Sequence, residues 1–459
     1  MVVLYFCISE NAKAISVFAE GNLEHLHMKK ILVITYYWPP ASGPGVQRFL
    51  KFVKYFSSFG IHPTILTVKN GSYSSVDPSL MGDVPMEVSI YKTKAIEPFA
   101  LYNLLRGKKG KSIEVGMGNI KNTTSLFGKL SRYIRSNFFI PDARVGWNSY
   151  ATKEAIKICK RDGIDTIITT GPPHSTHLIG MYLKKNVDGI KWIADLRDPW
   201  TSIYYEKYLN RSKKSTQRNQ ELENEVLTTA DQIVVVSHGM KQEFQDRTKS
   251  ISVIANGFDG ADINIGSMGV SKKFVFAYTG NFKANQNISP LWQALNELCK
   301  EDKNFNEHFV LRLTGFVNVE IRDAIDKNDL GRHVEYEDFV THDVAVSKMV
   351  SSNLLYLPIP QAENNQLILT GKIFEYMASH TPILSVGPID GNAATILTDC
   401  DRGEMFDYDN KEGIKSRIKT EYAHWKDHGG MGRKEESEEY RKYERKTLTK
   451  VYADLISKL

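Results

Sequence analysis

Short apolar runs alternate along the whole chain with longer stretches whose apolar residues recur at helical spacing, the pattern of parallel strands joined by helical crossovers. In the first half the runs Ile31 to Thr35, Thr64 to Val68, Asp165 to Thr170, Lys191 to Asp195, Gln232 to Val236 and Ser252 to Ala255 are predicted strands. Each ends in a loop rich in Gly, Pro, Ser or Asp. After the first strand, Phe49, Leu50, Phe52, Val53 and Phe56 mark one face of an amphipathic helix. A polar, Gly-rich stretch comes after Asn256-Gly257-Phe258-Asp259 and runs to Lys273. The rhythm then restarts with Phe274 to Thr279, Phe309 to Thr314, Leu354 to Leu357 and Ile383 to Val386. The pattern predicts two consecutive α/β domains, 28–262 and 263–433. The charge-rich end, 434–459, carries Tyr440, Tyr443, Leu448, Val451, Tyr452, Leu455 and Ile456 at largely helical spacing and is expected to form one or two amphipathic helices.

Composition narrows this picture. A chain of 459 residues, 42% hydrophobic and 24% charged, holds enough apolar material for more than one core. The net charge of +6 and pI near 8.8 are modest for the size and do not argue for nucleic acid. Cys7, Cys159, Cys299 and Cys400 are far apart and form no pair at metal-ligand spacing, as expected of reduced thiols in a cytoplasmic protein. No apolar run reaches the roughly 18 to 20 residues of a membrane-spanning helix. The apolar run from Met1 to Ile8 is short for a signal peptide, lacks a preceding positive charge and is broken off by Glu10. Met28-Lys29-Lys30, just before Ile31-Leu32-Val33-Ile34, reads as the more natural start, so 1–27 is expected to be an upstream extension. One segment, 101–137, breaks the rhythm: eight Lys or Arg residues stand there against the single acid Glu114. It reads as a solvated loop, with an insertion docking on an anionic membrane surface as the alternative.

Candidate chemistry sits in the loops after the predicted strands. Gly43 and Gly45, in Ser42-Gly43-Pro44-Gly45-Val46-Gln47-Arg48, open the first helix and would let backbone N–H groups approach a phosphate or sugar. Arg48 stands where a dinucleotide fingerprint has its third glycine. His174 and His177 come after Gly171-Pro172-Pro173; His174 is the candidate to face a ligand crevice, and His177 can instead pack within its helix. Asp195-Leu196-Arg197-Asp198-Pro199-Trp200 concentrates three charges beside a buried strand, which marks either a polar site or an internal ion-pair network. In the second half, Gly280, Asn281 and Lys283 stand after a strand and can neutralise a diphosphate. Gly371 and Lys372 begin a helix with Glu375 one turn inside, placed to accept hydrogen bonds from ribose hydroxyls. Asp399-Cys400-Asp401 and Asp407-Tyr408-Asp409 match the Asp-x-Asp pattern of metal-dependent transferases, but no further cluster supplies the oxygen ligands, and no metal is expected.

These loops, with Ala230 to Ser237, Ile254 to Asp259 and Lys372 to Ala378, resemble glycosyltransferase family 4 from Met28 to the C-terminus, particularly bacterial enzymes of capsule, O-antigen or exopolysaccharide synthesis. The resemblance implies the GT-B fold, two Rossmann-like domains facing each other across a cleft, with a C-terminal helix crossing back to the first. It implies a UDP- or GDP-sugar co-substrate, a glycan or lipid-linked acceptor, retention, and no metal. Asp195, Arg197 and Lys283 are then the expected catalytic residues. Gly43, Gly45, Gly280, Asn281, Gly371, Lys372 and Glu375 would bind donor, and His174 and Asp198 acceptor. Glu375 looks like the second glutamate of the family's Glu-x7-Glu motif. Leu367 stands in place of the first, with Glu363, Asn364 and Gln366 nearby; Asn281 takes the place of a family arginine and Asp195 that of a histidine. A nucleotide-sugar epimerase or hydrolase, or a catalytically silent nucleotide-sugar-binding partner, are the alternatives.

Overall fold

The computed structural model describes residues 28–73, 75–96, 133–203, 206–263 and 271–459. The expected extension 1–27 and the basic insertion up to Arg132 lie outside the described residues. In chain order the first half runs β1 (Lys29–Ile34), α1 (Pro44–Phe56), β2 (Ile61–Val68), β3 (Ser89–Thr93), α2 (Asn148–Asp162), β4 (Thr166–Gly171), α3 (Ser175–Asn186), β5 (Lys191–Leu196), α4 (Lys213–Thr229), β6 (Gln232–Val235), α5 (His238–Phe244) and β7 (Ile251–Val253). The second half runs β8 (Phe274–Thr279), α6 (Ser289–Glu301), α7 (Lys303–His308), β9 (Phe309–Thr314), α8 (Val319–Lys327), β10 (Val334–Glu337), α9 (His342–Val350), β11 (Leu354–Pro358), α10 (Lys372–Ala378), β12 (Ile383–Val386), α11 (Asn392–Asp399), β13 (Met405–Phe406), α12 (Lys411–Asp427) and α13 (Arg445–Ser457).

The strands form two sheets, ordered β3-β2-β1-β4-β5-β6-β7 and β10-β9-β8-β11-β12-β13, with every strand pair parallel. Helices cover both faces of such sheets, so the central strands are buried on both sides and read as unbroken apolar runs. Phe274–Thr279 of β8 is buried at every position. In each sheet the strand order reverses once, between β1 and β4 and between β8 and β11. At such a switch point adjacent loops diverge and leave a crevice beyond the carboxyl ends of the strands.

The last helix returns to the first domain. Tyr452 of α13 packs its ring 5.1 Å from Phe52 and 6.0 Å from both Phe49 and Phe56 of α1. Its entry is fixed by backbone pairing: Arg445 N donates to Phe258 O at 2.7 Å, and Phe258 N donates to Tyr443 O at 3.2 Å. Gly257, at φ +68°, makes that approach feasible, since a Cβ there would lie 2.2 Å from Tyr443 O.

Beneath α1 a buried ion pair joins α1, β5 and α13 to the loop after β7. Arg48 Nη2 donates to Asp195 Oδ2 at 2.7 Å and Nε to Oδ1 at 3.0 Å, with both side chains fully buried. Arg48 Nη1 donates to Ala255 O at 2.8 Å, and the Tyr452 hydroxyl donates to Asp195 Oδ2 at 3.4 Å.

Candidate functional site

The two switch points face each other across a cavity of about 540 Å³. On the first-domain wall stand Ser42, Gly43 and Gln47 from the loop and first turn of α1, with Ser75, Asp77 and Leu80 beside them. Gly43 has φ +114°, open to glycine and strained for other residues, and its carbonyl accepts from Val46 N and Gln47 N.

The opposite wall is built from the loops after β8 and β11. Gly280, at φ +115°, leaves room for the Lys372 stem; a Cβ there would meet Lys372 Cε at 2.8 Å. Lys372 Nζ donates to the Tyr278 hydroxyl at 2.5 Å and lies 4.0 Å from that ring's centre. Burial, reinforced by the charge of Lys283 and opposed by Glu375, lowers the Lys372 ammonium pKa to about 7. Asn281 and Lys283 are exposed on the same loop, and Glu375 lies one turn into α10; all three line the cavity with Gly371. His342 of α9 lines it too, its Nε2 3.1 Å from Asp262 Oδ2. Burial opposes protonation of that ring, but the Asp262 hydrogen bond and the charge of Glu375 outweigh it and raise the pKa.

Seven of the twelve expected site residues line this cavity. These are Gly43, Gly280, Asn281, Lys283, Gly371, Lys372 and Glu375, whereas Gly45 lies against Arg197, where a Cβ would fall 2.0 Å from Nη1. Arg197 is turned to the loop after β4, donating from Nε to Gly171 O at 3.1 Å and from Nη2 to Pro172 O. Asp195, expected to be catalytic, is fully buried, and its carboxylate is paired with Arg48. His174 stacks on Trp200 at 4.7 Å, with burial pressing its pKa far down, while His177 Nδ1 meets Thr169 Oγ1 at 2.9 Å inside the domain. Asp198 is exposed in the loop after β5, close enough to Lys283 of the other domain to feel its charge.

Leu367, at the position of the missing glutamate, forms part of the contact between the domains: a Cβ on Gly239 of α5 would fall 2.4 Å from its Cδ2. Three carboxylates, Asp83, Asp259 and Asp262, converge among the described residues, and their charge is met by ammonium groups. Lys51 Nζ lies 2.6 to 2.8 Å from all three, and Lys54 Nζ 2.7 and 2.9 Å from Asp83 and Asp259. Sequence reading missed Arg48, His342 and Arg445 as parts of this region. Arg48 alone left a signal, a cation on the apolar stripe of α1.

No protein-family model matches the sequence. No curated protein matches it either. Solved structures do resemble the fold. A sucrose-phosphate synthase from Thermosynechococcus elongatus aligns with a TM-score of 0.59 at 13% identity, covering 94% of this chain and 100% of that one. A variant of TarM from S. aureus, in complex with fondaparinux, α-GlcNAc-glycerol and UDP, aligns with a TM-score of 0.58 at 13% identity, covering 94% and 100%. A putative UDP-N-acetylglucosamine 2-epimerase from Listeria monocytogenes aligns with a TM-score of 0.53 at 11% identity, covering 94% and 96%. The chain has the GT-B fold, two Rossmann-like domains with parallel sheets of seven and six strands facing across a cleft.

Proposed function

We propose that the chain is a family 4-like hexosyltransferase that moves a sugar from a UDP- or GDP-linked donor to a glycan or lipid-linked saccharide, in the synthesis of a surface polysaccharide. One observation carries the reading: at the second switch point Lys372, Lys283 and Glu375 converge on one cavity, facing the glycine loop of the first domain. Two cations beside a carboxylate suit a nucleoside diphosphate, whose phosphates take the lysines and whose ribose hydroxyls donate to Glu375. The UDP held by the S. aureus neighbour supports the same class of ligand here.

The reaction is set by where charge moves. The bond from the anomeric carbon to the outer phosphate oxygen breaks as the acceptor oxygen bonds to that carbon, on the same face in a retaining transfer. The acceptor proton passes to the departing phosphate. Negative charge accumulates on the diphosphate in the transition state, and cations already in place stabilise it there without reorganisation. Lys372 and Lys283 supply positive charge that other transferases draw from a metal. Asp198 and the Ser42, Ser75 and Asp77 side border the acceptor. The unpaired thiols Cys159, Cys299 and Cys400 suit the cytoplasm, and the basic segment 101–137 would meet the inner membrane face. Among the described residues no helix is long and apolar enough to cross a membrane.

The test is product analysis with sugar nucleotides and saccharide acceptors, alongside Glu375→Ala. The expected result is a new glycosidic product together with released nucleoside diphosphate. The variant should keep its fold and bind the nucleoside diphosphate roughly tenfold more weakly, the loss of one charged hydrogen-bond acceptor. An altered free sugar nucleotide with no acceptor product would favour the epimerase or hydrolase reading instead, and unchanged affinity in folded Glu375→Ala would remove the ribose role.

A further inference from the structure

We infer that Arg445, at the start of the crossover helix α13, is a third cation for the donor diphosphate, so that docking of the C-terminal helix completes the donor site. The inference rests on the nucleotide-sugar reading above and assigns it a residue from outside both sheet domains.

Arg445 lines the same cavity as Lys372, Gly371 and Glu375, although it lies 70 residues beyond Glu375. The residue is 5% exposed, and Nη1, shielded from solvent, has no hydrogen-bond partner among the described residues. A buried guanidinium normally secures a carboxylate or carbonyl, because leaving a buried charge uncompensated is costly. Arg48 shows the contrast within this chain: it also lies against Phe52, and it is fully satisfied by Asp195 and Ala255 O. The Phe52 ring centre lies 5.5 Å from the Arg445 guanidinium carbon, a cation–π contact that leaves its N–H groups unspent.

The carboxylates whose charge reaches Arg445 are Glu375, Asp259 and Asp195. Asp195 is consumed by Arg48, and Asp259 by Lys51 and Lys54. Burial and the neighbouring Arg48 both act against its charged form. An anion entering the cavity would relieve this, and a guanidinium fork matches phosphate oxygens in a bidentate manner.

The position is also held firmly. The Arg445 backbone N–H is anchored to Phe258 O, its carbonyl accepts the Thr449 hydroxyl at 2.6 Å, and α13 is locked to α1 through Tyr452. Donor phosphate would thus bridge cations from the second domain to a helix seated on the first.

Calorimetric titration of the full chain with UDP, GDP, uridine and guanosine tests this, comparing wild type with Arg445→Met and Arg445→Lys. In Arg445→Met the affinity for the bound diphosphate is expected to fall at least about tenfold. Affinity for the parent nucleoside should stay within about twofold of wild type, and the unliganded melting temperature should hold or rise, because an uncompensated buried charge has been removed. Arg445→Lys, which keeps a charge without the fork, should fall between the two. Equal diphosphate affinity in wild type and Arg445→Met would overturn the inference and leave the nucleotide-sugar reading standing. An equal loss for nucleoside and diphosphate would also overturn it, marking Arg445 as a support for cavity shape. Absence of diphosphate binding by folded wild type would remove the reading itself.

Discussion

Lys372→Met is expected to lower kcat/KM for sugar transfer by roughly 100- to 1,000-fold, the cost of removing one preorganised group that meets charge developing in a transition state. Methionine keeps an unbranched apolar stem beside Gly280, where a Cβ would come within 2.8 Å of Lys372 Cε, so the loop after β8 should hold its shape. The same lysine carries a pH signature. Its pKa falls from the usual 10.5 to about 7 in the unliganded fold, with burial the largest cause and Lys283 the next. Near pH 8 much of the side chain is therefore neutral, and a bound diphosphate must draw a proton from solution to restore the charge. Calorimetry of diphosphate binding at pH 8, in two buffers of different ionisation enthalpy, should show proton uptake in wild type and none in Lys372→Met. Affinity should weaken as pH rises from about 7 towards 9. For the unliganded protein the sign is opposite. Because the folded pKa lies below the unfolded one, the penalty from Lys372 is fully present below pH 7 and fades as pH rises towards 10.5. Lys372→Met should accordingly stabilise the apo-protein more at pH 6 than at pH 9. Equal turnover in the variant, or buffer-independent binding heats in wild type, would remove Lys372 from the phosphate site.

Arg48→Met carries the largest expected cost in stability. It strands the fully buried Asp195 carboxylate beneath α1, and breaking a buried pair from one side costs about 3 to 5 kcal/mol. That is a large part of the roughly 5 to 15 kcal/mol by which folded proteins exceed their unfolded state, and should lower Tm by on the order of 10 °C. The double variant Arg48→Met, Asp195→Leu should recover most of this loss, because it removes the charge along with its partner among the apolar Phe49, Phe52 and Tyr452. Thermal unfolding of the three proteins decides the matter. A double variant as unstable as the single one would show that the pair contributes through its hydrogen bonds to Ala255 O and Tyr452, rather than through mutual neutralisation.

The sequence made the central strands legible and three of the four edge strands illegible, for one reason. Strands buried on both faces require unbroken apolar runs, and Phe274–Thr279 and Ile383–Val386 begin and end where the pattern places them. The unread strands β3, β10 and β13 are edge or near-terminal pieces: Ser89–Thr93 has no fully buried residue, Val334–Glu337 alternates with charge, and Met405–Phe406 is two residues long. Within the site, whatever depends on local chain geometry could be read. The glycines at 43, 280 and 371, and Lys372 and Glu375 one turn apart, announce themselves by spacing. Partnerships across the fold could not. Asp195 and Arg48 lie 147 residues apart, so the Asp-Arg-Asp cluster showed its charge and not the pair that consumes it. Leu367 reads as a lost glutamate until Gly239 is seen against it; a carboxylate there would be pressed into a contact between domains. Arg445 stood hidden in a run of exposed charges, since only the return of α13 onto α1 carries it into the cavity.

On the proposed reading, the cavity between the sheets takes a nucleoside diphosphate and its sugar conjugate. The most direct measurement is titration of the wild-type chain with UDP, GDP, CDP and ADP and the matching sugar nucleotides, read by calorimetry and by the shift in melting temperature. Saturable binding of one nucleotide over the others is expected, with Tm rising as ligand concentration exceeds Kd. Well-folded protein that binds none of them, with Tm unmoved at millimolar ligand, would contradict it.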